Sequence, residues 1–344
     1  MEGKDGLLRL VSERLYHLGR YYQDKWRAPR PLLGSPAVFI FVAGTSRRGT
    51  QLPSGDAIFH VGNLSKTGSK EDIQAQINWL SQAEAYRDGP FCIGGERDLL
   101  LDPRVAQSQL NTAAPTVTTE LNWQAARRLH DSSAHVSTGF GVSGRSFIVY
   151  GHPRTPGSGD GAFHYPRVSP EEHHTMMSGK QRFKRREATG AWYERLPHFP
   201  SSDIVLANTA PACHLDGGTG CPSLLYEIWR CKPQLLVCTG GSSDRRVSVL
   251  YFDSLQRRYE GVVLAKSAVF ASLSLILLCW HVCVALVVSW LGMKEKRRYT
   301  HWYRGESTTV ISLADRKEGD AGSGDACVVF FDPSTYDSTV KMDI

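Results

Sequence analysis

Residues 55–68 read GDAIFHVGNLSKTG, and residues 92–103 read CIGGERDLLLDP. Each opens on a short run of apolar residues, many β-branched or aromatic, and breaks at glycine, the pattern of a buried strand ending in a turn. Ser69 to Ala83 lies between them. Ser69 is a good N-cap, Asp72 stands three residues on for a capping box, and Ile73, Ile77 and Leu80 fall on one helical face. The unit is therefore strand, helix, strand. Outward from it, AVFIFVAG (37–44), RSFIVYG (145–151), DIVLAN (203–208), QLLVCTGG (234–241) and RVSVLYFD (246–253) read as further strands, with LLLDP (99–103) continuing the series. Thr119–His130 and CPSLLYEIWRC (221–231) read as helices. Strand–helix alternation with antiparallel hairpins near the end predicts a layered α/β fold.

The chain has 344 residues, of which 41% are hydrophobic and 22% charged. That is globular composition, and it excludes collagen-like, coiled-coil, disordered and polytopic membrane classes. A net charge of +6 is too mild and too spread out for a nucleic-acid binder, so no nucleic-acid partner is expected. Eight cysteines are too sparse for a disulfide scaffold and match no zinc spacing. Generic motifs fail on context. Gly139–Gly144 matches GxGxxG but leads into a strand, where a dinucleotide fingerprint needs a helix N-terminus. Asn63-Leu-Ser65 is a sequon at the end of an apolar strand. His173-His174 beside Glu171-Glu172 are sequence neighbours on a loop, which converge poorly on a metal. The basic run in 168–200 reads as a solvated surface excursion.

One stretch departs from the average. From Ser267 to Met293 no residue carries a formal charge, and Lys294, Lys296, Arg297 and Arg298 follow. The length suits a bilayer, and the basic cluster favours the cytosolic side. Residues 4–27 contain no uninterrupted apolar core of a signal peptide. Leu7, Leu8, Val11, Leu15 and Leu18 instead give an amphipathic helix with a basic face, suited to a membrane surface or to packing on the main domain. The expected organisation is an N-terminal helix in 1–34, a main domain in 35–262, a membrane segment with its basic flank in 263–298, and a tail in 299–344. Within that tail TTVISLAD (308–315) and TVKMDI (339–344) can return as two strands. If they return, 267–293 is a re-entrant or in-plane hairpin; if not, it is a single span. The expected localisation is a membrane, with the main domain cytosolic.

The ordered set GDAIFHVGNLSKTG, CIGGERDLLLDP, VYGHPRTPGSGDGAFHYPR (149–167), DIVLANTAPACHLDGGTGCPSLL (203–225) and LLVCTGGSSDRR (235–246) resembles the calcineurin-like metallophosphoesterases. It is closest to their fungal and animal metallophosphoesterase-domain-containing subfamily. The resemblance runs from about Phe39 to Asp253 and implies a four-layer α/β/β/α sandwich followed by a hydrophobic helical segment. It also implies two divalent metals of the manganese, iron or zinc class, which share a bridging carboxylate and activate a water.

Set against the family's motifs, this sequence departs at every metal-ligand position and keeps only Asp98 of the third motif. The D-x-H motif falls on Gly44-Thr45-Ser46, and the bridging aspartate falls on Asn63. The third motif falls on Glu96, Arg97 and Asp98. The next histidine falls on Asn208, and the last two fall on Gly240 and Ser242. Scaffold segments on either side are kept while ligand positions are emptied, which predicts a pseudoenzyme without cofactors. The metals are expected only if the family chemistry survives in a rearranged site. His60, Glu96 and Asp98 are weak metal candidates, and His152, His214, Asp56 and Asp216 lie in neighbouring segments. Arg97, Arg154, Arg167 and His214 are candidates for an anionic, phosphate-containing ligand, since arginine clamps such groups bidentately. A protein partner, or a membrane scaffold with no ligand in the cleft, is the other expectation.

Overall fold

Alternation of apolar and turn residues translates into two six-stranded sheets. The computed structural model describes residues 2–24, 36–45, 52–82, 89–105, 121–138, 145–157, 161–165, 198–215, 220–239, 246–265, 267–290, 307–313, 326–331 and 339–341. They fall into two compact units. An α/β unit takes in Leu32–Arg167, Ala188–Val249 and Thr308–Ile344, and a helical unit takes in Met1–Pro31, Val168–Glu187 and Leu250–Ser307.

In the α/β unit the strands are β1 (Ala37–Val42), β2 (Ala57–Val61), β3 (Phe91–Ile93), β4 (Arg127–Arg128), β5 (Ser132–Thr138), β6 (Arg145–His152), β7 (Thr155–Pro156), β8 (His164–Tyr165), β9 (Ile204–Ala207), β10 (Leu235–Thr239), β11 (Arg246–Tyr251), β12 (Ser307–Leu313), β13 (Ala326–Phe331) and β14 (Thr339–Lys341). One sheet has the order β14-β13-β1-β2-β3-β4 and the other β11-β12-β10-β9-β6-β5, with β7 and β8 forming a separate pair. β1 to β4 run parallel, and β13 pairs antiparallel with β1, placing Phe39 opposite Val329. β6, β9, β10 and β12 also run parallel.

Period-two alternation sends Phe39, Phe41, Phe59 and Phe91 from the first sheet and Phe147, Ile204, Leu235 and Ile311 from the second into one buried cluster. The Phe39 and Phe147 rings meet edge-on at 5.3 Å, a favoured aromatic geometry. On the other face of the first sheet, Ile40, Val42 and Ile58 pack with Ile73, Ile77 and Leu80. Those three belong to α2 (Lys70–Ser81), capped as expected by Ser69 Oγ, which accepts from Asp72 N at 3.2 Å. A second helix of this unit, α3 (Pro222–Cys231), has proline at its start and ends on Lys232 in the left-handed region, φ 48°. It connects β9 to the parallel neighbour β10, a βαβ crossover.

Three local expectations are corrected. Residues 121–130, expected as part of a helix, form turns and the short β4, because Arg127 N and Leu129 N are drawn to Pro90 O and Cys92 O beside β3. LLLDP begins as a 3-10 turn at Leu99–Leu101 rather than a strand. The expected hairpin between 234–241 and 246–253 is not formed, since β12 lies between β10 and β11. The tail thus supplies β12, β13 and β14.

The helical unit contains α1 (Glu2–Asp24), α4 (Ser254–Val263) and α5 (Ala268–Trp290). The apolar face of α1 is turned outward. Leu7, Leu10 and Leu18 are exposed, whereas Ser12, Tyr16 and Arg20 are buried. The reason is polar. Arg20 donates both arms to Asp253, at 2.5 and 2.9 Å, and lies over the Tyr16 and Tyr251 rings. Tyr16 hydrogen-bonds Gln256 and stacks on Tyr259, and Asp253 also caps α4 through Gln256 N. Gly19 admits close approach: a Cβ there would stand 3.0 Å from Leu255 and 3.2 Å from Val282. One helix, spanning Val269–Val287, is long and apolar enough to cross a membrane.

Candidate functional site

Parallel strands deliver their carboxyl ends to one edge of a sheet, where loops can bring side chains from distant sequence together. The turns after β1, β2, β3 and β9 carry Gly44, Asn63, Glu96–Arg97 and Asn208, while β6 ends at His152 and β10 at Thr239. The two edges meet. A Cβ at Gly62, whose φ of +91° already suits glycine, would stand 2.7 Å from Asn208 Oδ1.

Asn208 is buried and fully engaged. Its Nδ2 donates to Thr155 Oγ1 at 2.9 Å, and its Oδ1 accepts from Thr239 Oγ1 at 2.8 Å. Asn63 is also buried, in the left-handed region at φ 57°, and its Oδ1 accepts from Arg97 N at 3.3 Å. Asn tolerates that backbone conformation better than most residues. Gly44 offers only its backbone: its N–H donates to Gly62 O, and its carbonyl meets His60 Nε2 at 2.9 Å.

His60 and Asp98, two of the metal candidates, have other occupations. His60 is fully buried, with Gln76 of α2 3.4 Å from its Nε2. Burial pushes its pKa down to about 4 against the pull of the Gly44 carbonyl, so it is neutral at neutral pH. Its Nδ1 has no hydrogen-bond partner among the described residues. The Asp98 carboxylate accepts from Leu64 N, Ser65 N and Gly95 N at 2.8–3.0 Å, tying the turn after β2 to the turn after β3. Desolvation lifts its pKa to about 6 despite these donors. Glu96, half exposed, faces His164 at 3.6 Å.

Of the anion candidates, Arg154 donates its Nε to Asp131 Oδ2 at 2.7 Å. Arg97 is partly exposed beside Asn63, and its carbonyl accepts from Ser65 Oγ. His214 is buried, and its backbone N–H donates to Pro211 O. Asp56 serves the scaffold by accepting from Val38 N at 2.7 Å. Arg167, Ser46, Gly240, Ser242 and Asp216 lie outside the described residues, as do the 139–144 glycines, the 171–174 acid–histidine run and nearly all of the 168–200 excursion. Among the described residues no three of histidine, cysteine, aspartate and glutamate converge on one point.

The structure adds a group that sequence reasoning missed. Asp131, at φ 47°, accepts from His152 Nδ1 at 2.9 Å as well as from Arg154. Burial alone would raise its pKa, but His152 and Arg154 outweigh it and hold the carboxyl down at about 2. His152 is fully buried against Phe199, and its Nε2 has no partner among the described residues. Asp131 sits one residue beyond the stretch read as a helix, so nothing in the sequence pattern tied it to His152. Asp102 was missed too: it accepts from Phe163 N at 2.6 Å and pairs with Arg104 at 2.8 Å, fixing the loop before β8.

No family model matches the chain. A curated protein of Emericella nidulans, "Probable rhamnogalacturonate lyase C", is 28% identical over 280 residues, covering 80% of this chain and 22% of the relative. The chain thus spans about a fifth of the length of that protein. Among solved structures, TT1561 of Thermus thermophilus is similar over 89% of this chain and 99% of its own, with 13% identity and a TM-score of 0.40.

Proposed function

We propose that the chain is a membrane-associated protein of calcineurin-like metallophosphoesterase descent, in the four-layer α/β/β/α arrangement, whose cleft has lost its metal chemistry and binds an anionic ligand or a protein partner. The observation that carries this reading is Asn208. At a position where the family's motif has a histidine, both ends of a carboxamide are spent on Thr155 and Thr239. Asn63, where the bridging carboxylate would stand, is neutral and bonded to Arg97 N. Two dications held close together need shared negative charge, and these amides supply none. The donor set therefore does not fit a two-metal centre, and no step is derived through one. Arg97, partly exposed at this edge, is the residue proposed to meet an anion. The apolar α5 and the basic cluster after it support membrane association with the α/β unit on the cytosolic side. The lyase activity named for the relative is not carried over, because most of that protein lies outside the match.

The test is metal content after manganese loading, together with turnover of bis-(p-nitrophenyl) phosphate. Absence of stoichiometric metal and of turnover above a heat-treated control is expected, and either one present overturns the reading. Calorimetric titration with inorganic phosphate is expected to show binding that Arg97→Ala abolishes. Unchanged binding in that variant removes Arg97 from the site. A specific observation favours a second reading, hydrolysis at a rearranged centre: a carboxylate fixes Nδ1 of His152 and Nε2 has no partner among the described residues, as in metal-ligating histidines. The same turnover assay with a His152→Ala variant decides it.

A further inference from the structure

The exposed and buried residues of α5 form opposite stripes. Ala271, Leu278, Val282 and Ala285 are buried, while Val269, Leu273, Ile276, Trp280, Val287 and Trp290 are exposed, Trp290 to 85%. The exposed positions recur at helical intervals of three, four or seven, which places them along one face of the helix. Each of these six is apolar; Phe270, Ser272 and Cys283 are exposed as well, and Ser272 is the polar exception among the described exposed positions.

Two occupants suit such a face, a second copy of the chain or lipid. A helix that pairs in water carries charged residues beside its apolar seam, yet α5 has none from end to end. Trp280 and Trp290 belong to the residue types favoured at a lipid–water boundary. The basic cluster Lys294, Lys296, Arg297 and Arg298 stands next in sequence, complementary to anionic headgroups.

The connectivity then limits how lipid is met. β11 precedes the helices, β12 follows them, and the two are neighbours in one sheet. A helix spanning the bilayer would need residues 291–306 to cross back, and these include Lys294, Glu295, Lys296, Arg297, Arg298, Arg304 and Glu306. Charged side chains are costly at the bilayer centre. α5 is an unbroken helix of 23 residues with no turn at which to double back. Its buried face packs on α1, where Gly19 faces Val282, and α1 presents exposed Arg9, Glu13 and Arg14. A crossing would carry those charges into hydrocarbon.

We infer that α5 lies in the plane of an anionic membrane surface, embedding its outward apolar stripe in one leaflet with both helix ends on the same side. This deepens the membrane association proposed above and rests on it. The test uses the full chain tagged at both termini. Flotation with phosphatidylcholine vesicles containing phosphatidylserine is expected, roughly tenfold stronger than with phosphatidylcholine alone. After synthesis with microsomes, external protease is expected to remove both tags. A protected tag at one end overturns the one-leaflet arrangement while membrane association stands. Failure to float overturns both. Ile276→Glu with Trp280→Glu, both exposed, is expected to cut flotation about tenfold with thermal unfolding unchanged. A concentration-dependent dimer that this pair of substitutions dissolves, with no flotation, assigns the face to a second copy and overturns the inference.

Discussion

A carboxamide brings a donor and an acceptor, and at Asn208 both find a threonine hydroxyl inside the protein. Removing the amide takes the acceptor from the buried Thr239 hydroxyl and a donor from the half-buried Thr155 hydroxyl, so Asn208→Ala is expected to lower stability by about 2 kcal/mol, measured by urea unfolding. His60 gives a second outcome with a sign. Its folded pKa, about 4, lies below the ordinary value of 6.5. Its contribution is therefore present in full above pH 6.5 and is lost as pH falls towards 4, on the order of 3 kcal/mol in all. Asp98 works the other way, its raised pKa favouring the folded state as pH falls from about 6. The difference between wild type and His60→Gln isolates the histidine: unfolding free energy is expected to fall more steeply for wild type between pH 6.5 and 4. At this scale the side-chain chemistry at Gly44, Asn63 and Asn208 was legible, because it is written in residue type. The sequence did not show Asp131 beside His152, because Asp131 precedes β5 and His152 ends β6, and only the antiparallel pairing, with Ser132 opposite Gly151, brings them together.

The helices separate what periodicity tells from what partners decide. α2 was legible: its cap, its length and its buried Ile73, Ile77 and Leu80 follow from spacing alone. α1 was legible as a helix with one apolar face but not in what its other face packs on, since the deciding residue there is a buried arginine that spacing alone does not pick out. The pairing of Arg20 with Asp253 explains the choice, because two desolvated charges are tolerable only together. Arg20→Ala is accordingly expected to cost about 3 kcal/mol or more and to open α1 to limited proteolysis, read by mass spectrometry. Truncating the exposed Leu10 to alanine is expected to change stability by less than about 0.5 kcal/mol. The failed helix at 121–130 has the same lesson in reverse. Local propensity lost there to backbone bonds offered at β3, where Arg127 N reaches Pro90 O and Leu129 N reaches Cys92 O across a long separation in sequence.

On the scale of the whole molecule, the strand–helix alternation gave the fold class, and the tail segments pointed to a return. What stayed hidden was order: β12 between β10 and β11, and β13 against β1, pairings set by side-chain packing across long separations. This topology makes residues 252–306 an insertion between neighbouring strands. A chain lacking residues 1–31, with 252–306 replaced by a flexible linker, is expected to give a folded α/β unit with cooperative thermal unfolding, checked by circular dichroism. A non-cooperative melt would show that the sheets depend on the helices. The pairing of β1 with β13 also bears on synthesis. The ribosome makes β1, Ala37–Val42, long before its antiparallel neighbour β13, Ala326–Phe331, so the middle of the first sheet waits for β13. The uncharged α5 leaves the ribosome before either sheet can close. During translation, the most water-averse segment therefore emerges while the α/β unit is still incomplete. On the membrane association proposed above, a nascent chain built this way gains from meeting lipid early, with the late strands completing the sheets once α5 is already sheltered.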